Sequence, residues 1–226
     1  MRIRIAGLVA GAAAALASAV VAAYPVLWRT RCLTWGATAD EVSGQMPGDD
    51  LMPDPDMQTT RAITIEAPPG AIWPWLVQMG SGRGGAYTYD WIENLFALNM
   101  HSANEILPEF QDLKVGDALP LGSKAPRLRV EVLDPDRALV VRSSEDGNWV
   151  WAFGLYPDGK HTRLVSRNRM KTPGGSAPAR LAYTVVMEPG SLVMERKMLL
   201  GIKQRAERLA AAPAQAAQGT ASPPPA

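Results

Sequence analysis

The sequence predicts an α+β domain, a curved antiparallel sheet wrapped around a long C-terminal helix, preceded by one N-terminal transmembrane helix. Three patterns carry this. Residues 5–24 hold no charge, residues 118–170 form short alternating runs punctuated by turn residues, and Leu192, Leu199, Ile202, Ala206 and Leu209 share one helical face. A strand and two helices before a run of hairpins and a final helix is an α+β order, not one of alternating β-α-β units.

As a helix the uncharged run spans roughly 30 Å, about the hydrocarbon thickness of a bilayer. Arg2 and Arg4 precede it, Pro25 ends the regular helix, and Trp28, Arg29 and Arg31 follow in the order of a membrane interface. A membrane anchor is the first reading; a secretory signal cut after Val21-Ala22-Ala23 is the second. The flanking arginines are similar in number, so the orientation of such a single-pass membrane protein, and the side on which its domain lies, stays undetermined. Gly7, Gly11, Ala15, Ala19 and Ala23 recur every fourth residue, which would let two anchors pair in a weak homodimer. Ten of the twenty residues are alanine, however, and chance also gives that spacing.

Residues 29–58 are rich in acid and proline (Asp40, Glu41, Asp49, Asp50, Asp54 and Asp56 with Pro47, Pro53 and Pro55), the composition of an extended, solvated tether or wrap. The folded domain then occupies residues 59–210. Residues 60–66 alternate as a strand, and Pro68 and Pro69 open a helix over 71–79 in which Pro74 is tolerated within the first turn. Asp90 as N-cap, with Glu93 three positions on, has capping-box spacing and starts a second helix to about Leu98. Five strands follow at 118–121, 128–133, 138–144, 149–156 and 162–170. Asp134-Pro135-Asp136, Asp146-Gly147-Asn148 and Pro157-Asp158-Gly159 supply hairpin turns between the last four. Residues 180–187 suit a helix or a seventh strand, and Pro189-Gly190 breaks or kinks what precedes the last helix. Residues 211–226, all small or polar, have no apolar face to bury and are expected to be disordered.

Charge and composition exclude several functions. A net charge of +1 from 23 basic and 22 acidic side chains gives no field for nucleic acid. One cysteine, Cys32, and two distant histidines, His101 and His161, make no usual metal site. Gly80-x-Gly82-x-x-Gly85 has the letters of a dinucleotide fingerprint but follows a helix rather than a strand, so no cofactor is expected. Gly190-Ser191-Leu192 lacks the glycine of a nucleophile elbow.

Residues 73–94 gather three tryptophans, two tyrosines and four glycines, the composition of a rigid loop walling a cavity. Trp75, Arg83, Tyr87, Tyr89 and Trp91 are its candidate ligand contacts; the same tyrosines and arginine would otherwise satisfy carbonyls of an unusual loop. Trp149, Trp151 and Phe153 share one strand face that either lines a cavity or fills the core. Tyr87, Tyr89 and Glu109 are the candidates for proton transfer, since Glu93 is taken up by the capping box. Arg163, Arg167 and Arg169 alternate on the last strand as a solvated outer face or a surface for anionic headgroups.

Arg61-Ala62-Ile63-Thr64-Ile65, the glycine and aromatic stretch 73–94, and Met194-Glu195-Arg196-Lys197-Met198-Leu199 followed by Gly201-Ile202-Lys203 and Arg205-Ala206-Glu207 resemble an uncharacterised, membrane-anchored bacterial branch of the SRPBCC superfamily, the START, polyketide-cyclase and plant-allergen-like group. The resemblance covers residues 35–209. It implies a helix-grip, START-like fold with an apolar cavity and a small hydrophobic or amphipathic ligand such as a lipid, isoprenoid or polyketide-like compound. A cyclase or hydratase using the same cavity and a ligand-free interaction module are the alternatives, so whether the protein is an enzyme stays open.

Overall fold

The computed structural model describes residues 23–24, 27–122, 127–172, 174 and 177–219, the last span with side chains at 181 and 183–212. The strands are β1 (Met57–Ile65), β2 (Ala118–Pro120), β3 (Arg127–Asp134), β4 (Ala138–Ser143), β5 (Trp149–Asp158) and β6 (His161–Met170). They form one antiparallel sheet in the order β1-β6-β5-β4-β3-β2. The expected hairpin turns are present, with Asp136, Gly147 and Gly159 at φ of 62°, 66° and 60°. The helices are α1 (Arg29–Leu33), α2 (Ala39–Ser43), α3 (Pro69–Val77), α4 (Asp90–Leu95) and α5 (Ala177–Gly219).

Strand alternation divides the burial between two faces. The inner face, with Ile65, Leu128, Val130, Leu139, Val141, Phe153, Leu155 and Leu164, packs on α3 and on Met198, Leu199, Ile202 and Ala206 of α5. This is the helix-grip arrangement that the resemblance implies. The outer face, with Ala62, Val140, Val150, Ala152 and Val165, is covered by Met46 and Met52.

Residues 29–58 are therefore not an extended, solvated tether; they wrap over the sheet. Thr38 and Glu41 cap α2 reciprocally. The three arginines of β6 fasten the wrap from below. Arg163 donates to Glu41 at 2.8 Å and to the Gly36 carbonyl at 2.8 Å. Arg167, 1% exposed, donates to Asp49 at 2.6 Å and to the carbonyls of Glu41, Val42 and Gly44. Arg169 donates to the carbonyls of Met52 and Pro53. A planar guanidinium suits this work because irregular chain leaves carbonyls unpaired, and several donors in one fork answer them together. Neither a solvated basic face nor a headgroup surface remains at these arginines. Asp49→Asn is expected to cost about 1.5–3 kcal/mol in urea unfolding, because a buried cation loses its charged acceptor; an unchanged midpoint would show that the carbonyl and apolar contacts hold the wrap without the Asp49 charge.

Several local expectations change. Pro74 lies beyond the first turn of α3, whose first residue is Pro69. Residues 181–187 are helix rather than strand, and α5 continues through Pro189 and Gly190 without a break. The helix extends to Gly219, past the start of the tail expected to be disordered, and residues 220–226 lie outside the described ones. The anchor and its small-residue stripe also lie outside the described residues, save for Ala23 and Tyr24. Among the described residues no helix is long and apolar enough to cross a membrane.

Candidate functional site

Between the inner face of the sheet and the N-terminal half of α5 lies a cavity of about 470 Å³. The sheet contributes Met57, Thr59 and Arg61 of β1, Ser143 of β4, Trp149 and Trp151 of β5, and Asn168 and Met170 of β6. Helix α5 contributes Tyr183, Met187, Ser191, Met194, Glu195 and Met198, a stripe whose three- and four-residue steps are the helical period. The far wall is Ala86, Thr88, Glu93, Leu98, Met100 and Leu121. Methionines on flexible stems and two tryptophan faces make the wall apolar and adaptable.

Trp149 and Trp151 stack with ring centroids 5.5 Å apart. Their indole N–H groups donate to Asn168 Oδ1 and Ser166 Oγ, both at 2.8 Å, so polar partners on β6 fix the orientation of two large apolar surfaces. Behind them Asn168 Nδ2 donates to Thr59 Oγ1 at 3.3 Å and to Glu195 Oε2 at 3.2 Å. Arg61, fully buried, pairs with the same Glu195 oxygen and donates to the Cys32 carbonyl at 3.1 Å and to Ser191 Oγ at 2.9 Å. The cavity thus has a polar floor joining β1, β6 and α5.

Glu195 Oε1 and Glu93 Oε2 are buried without a hydrogen-bond partner among the described residues, as is Thr88 Oγ1. Burial pushes the Glu195 carboxyl above its ordinary pKa, opposed by the Arg61 charge and the Ser166 hydroxyl. Burial likewise raises Glu93, helped by the Asp90 charge and opposed by the neighbouring Thr88 hydroxyl. Because folded Glu93 holds its proton more tightly than the unfolded chain does, its ionisation costs stability as pH rises from about 4.3 through the higher folded value. Glu93→Gln is therefore expected to leave stability near pH 4 almost unchanged and to stabilise the protein increasingly toward pH 7. A variant-minus-parent difference in urea midpoint that stays flat with pH would refute this.

The residues singled out in the sequence are distributed unevenly around this cavity. Trp149 and Trp151 line it, but Phe153, 1% exposed, is core. Trp75 is also core and meets the Tyr87 ring edge-on at 5.9 Å. Tyr87 adopts a left-handed φ of 59°, donates its hydroxyl to the Trp75 carbonyl at 2.9 Å, and packs under Arg205. Burial holds its phenol far above the usual range, and its hydroxyl ties the loop to α3 outside the cavity lining. Arg83 donates to the carbonyls of Met79, Val77 and Phe110 and stacks on the Phe110 ring, closing the end of α3. Tyr89 lies beneath Lys197, outside the cavity lining, while Trp91 is 70% exposed on α4. Glu109 is exposed on a 3-10 turn.

The capping box expected at Asp90 does not form. Helix α4 begins after Tyr89 with no side-chain cap, Asp90 instead accepts from the N–H and hydroxyl of Ser102, and Glu93 is released to the cavity. The fingerprint-like glycines form a closed loop in which Gly80 and Gly85 exchange backbone hydrogen bonds at 2.9 and 3.0 Å. At Gly85, with φ of 72°, a Cβ would lie 2.6 Å from the His101 carbonyl oxygen, so only glycine fits. Thr59, Arg61, Glu195 and Asn168 are the functional candidates that sequence reasoning missed. The signal for two of them was present: Arg61 interrupts the inward side of a strand and Glu195 the apolar stripe of a helix.

No family model matches the chain, and no curated protein matches it. Among solved structures it is similar to a polyketide-cyclase-like protein from Corynebacterium glutamicum, at 16% identity and a TM-score of 0.34, covering 76% of this chain and 100% of that one. It is also similar to the Zhui aromatase/cyclase from a Streptomyces species, at 16% identity and a TM-score of 0.40, covering 67% of this chain and 94% of the other. A third is CalC, a self-sacrificing resistance protein from Micromonospora echinospora, at 14% identity and a TM-score of 0.42, covering 68% and 96%. Polyketide-cyclase-like and aromatase/cyclase proteins are thus among the chains to which this one is similar, at low identity and loose superposition.

Proposed function

We propose that this chain is a container for one small hydrophobic or amphipathic molecule, such as a lipid, isoprenoid or polyketide-like compound, displayed at a membrane by residues 5–24. The observation that carries the proposal is the cavity of about 470 Å³ walled by Trp149, Trp151 and six methionines, a size and character suited to a ligand of that class. Affinity comes from burying ligand surface, at ~25 cal/mol per Å² before the costs of ordering and association. The end of the anchor is tied to the cavity wall, since Tyr24 and Arg29 both bond Glu188 on α5, one residue from Met187.

A cyclase or hydratase in the same cavity is the second reading, favoured by the two buried carboxylates that face it; Glu93 and Glu195 take the place of Tyr87, Tyr89 and Glu109 as its acid and base. A filled interaction module fits a cavity of this volume poorly.

The test compares organic extracts of the full chain, isolated from its host in detergent-free membrane discs, with those of Met194→Trp, whose larger side chain occupies the cavity, and Trp151→Ala. A compound present in the parent, absent from the first variant and depleted in the second is the cargo. Identical extracts from all three chains would overturn the container.

A further inference from the structure

The cavity has a donor and acceptor inventory that narrows what it holds. Every nitrogen of the Arg61 guanidinium is already hydrogen-bonded within the protein, to the Cys32 carbonyl, to Glu195 and to Ser191. The indole N–H groups of Trp149 and Trp151 and the Asn168 amide nitrogen are likewise engaged. At the rim, the Lys171 ammonium is taken by the Asp54 carbonyl and Asp56. Among the described lining residues, no buried side-chain nitrogen is without a partner, and the one unpartnered buried hydroxyl, Thr88, neighbours Glu93.

Acceptors are in the opposite condition. Glu195, 7% exposed, is fixed through Oε2 by Arg61 and Asn168 while Oε1 has no partner, and Glu93, 6% exposed, leaves Oε2 unpartnered in the wall of the same cavity. A buried acceptor without a donor costs free energy that a donor on the occupant recovers. An anionic occupant would bring a further carboxylate beside these two with no buried free cation among the described lining to meet it.

Resting on the container reading above, we propose that the cavity selects a neutral amphiphile whose O–H or N–H donor closes on Glu195 Oε1, and that it rejects fatty carboxylates of the same length. The apolar chain lies along the tryptophan and methionine walls, and the donor end is oriented by the Arg61-Glu195-Asn168 floor. Arg61 acts on Glu195 as a positioning residue, through the ion pair that fixes Oε2.

The experiment uses the full chain in lipid nanodiscs and three probes of one chain length: omega-bromodecanol, omega-bromodecanoate and omega-bromodecyl methyl ether. Bromine quenches tryptophan, and the cavity signal is the quenching that disappears in Trp149→Phe/Trp151→Phe. The alcohol is expected to bind on the order of tenfold or more tightly than either the carboxylate or the ether, the worth of a hydrogen bond to a charged acceptor. Glu195→Gln is expected to weaken the alcohol and leave the ether unchanged. Should that single variant fail to fold with Arg61 unpaired, Arg61→Met/Glu195→Gln supplies the same comparison. Equal affinities for all three probes, or an alcohol preference that survives the loss of Glu195, would overturn the donor proposal with the container standing. Absence of cavity-dependent quenching by every probe would overturn the container, and this proposal with it.

Discussion

Replacing Arg61 by methionine is expected to destabilise the protein by ~3–5 kcal/mol at neutral pH, read as a fall in the urea midpoint at constant slope. Arg61 is fully buried in the middle of β1, and its cation is answered by Glu195, which is itself 7% exposed. Removing the cation leaves a carboxylate in an apolar interior with only the Asn168 amide and the Ser166 hydroxyl beside it. Burial already raises the Glu195 pKa against the Arg61 charge, and without that charge it rises further, so the penalty shrinks as pH falls and the carboxyl takes up a proton. The double variant Arg61→Met/Glu195→Gln is expected to recover at least half the loss, because the stranded charge rather than the missing contact is the main cost. A loss that is the same at pH 5 and pH 8, and that the second substitution does not relieve, would mean that the Cys32 and Ser191 hydrogen bonds hold the structure there instead.

Phe153→Ala is expected to cost ~3–5 kcal/mol, through lost burial and the void left in a packed site. Its neighbour on the same strand face, Trp151, is the larger side chain, yet Trp151→Ala should cost less stability. Phe153 is 1% exposed among core residues, whereas Trp151 is half-buried and faces a cavity that truncation merely enlarges. The order of the two losses tells core from wall without any ligand. If Trp151→Ala proved the more destabilising, its stack with Trp149 and its bond to Ser166 would be structural supports first and ligand surface second.

Much of the fold was legible in the chain because the relevant physics is local. Period-two alternation and hairpin residues placed the five later strands to within two residues, and Asp136, Gly147 and Gly159 take the positive φ that their turns require. The terminal helix showed itself through Leu199, Ile202 and Ala206, all buried. The ambiguity of residues 181–187 was real, since their β-branched and aromatic side chains favour strand; packing settled it, because only helical spacing sets Tyr183, Met187, Ser191 and Met194 against the cavity together.

The candidate site was legible only in part. Trp149 and Trp151 announced a large apolar face, but nothing local distinguishes them from Phe153 two positions on, and the difference arises from what lies opposite each ring. Glu93 was concealed by a capping-box spacing that the chain does not use, since Asp90 turns to Ser102 across the loop. The β6 arginines and the acids of residues 29–58 looked like separate solvated groups because the contacts joining them bridge more than a hundred positions.

What the sequence by itself determined, then, is the run of strands and helices from β1 through β6 and the faces that must be buried, consequences of short-range periodicity and side-chain type. The tertiary structure alone decided which charges meet. Arg61 and Glu195 are 134 positions apart, and they become one buried pair at a cavity floor only because the terminal helix crosses the inner face of the sheet. Ion pairing depends on distance in space and on exclusion of water, and neither is a property of neighbours along the chain.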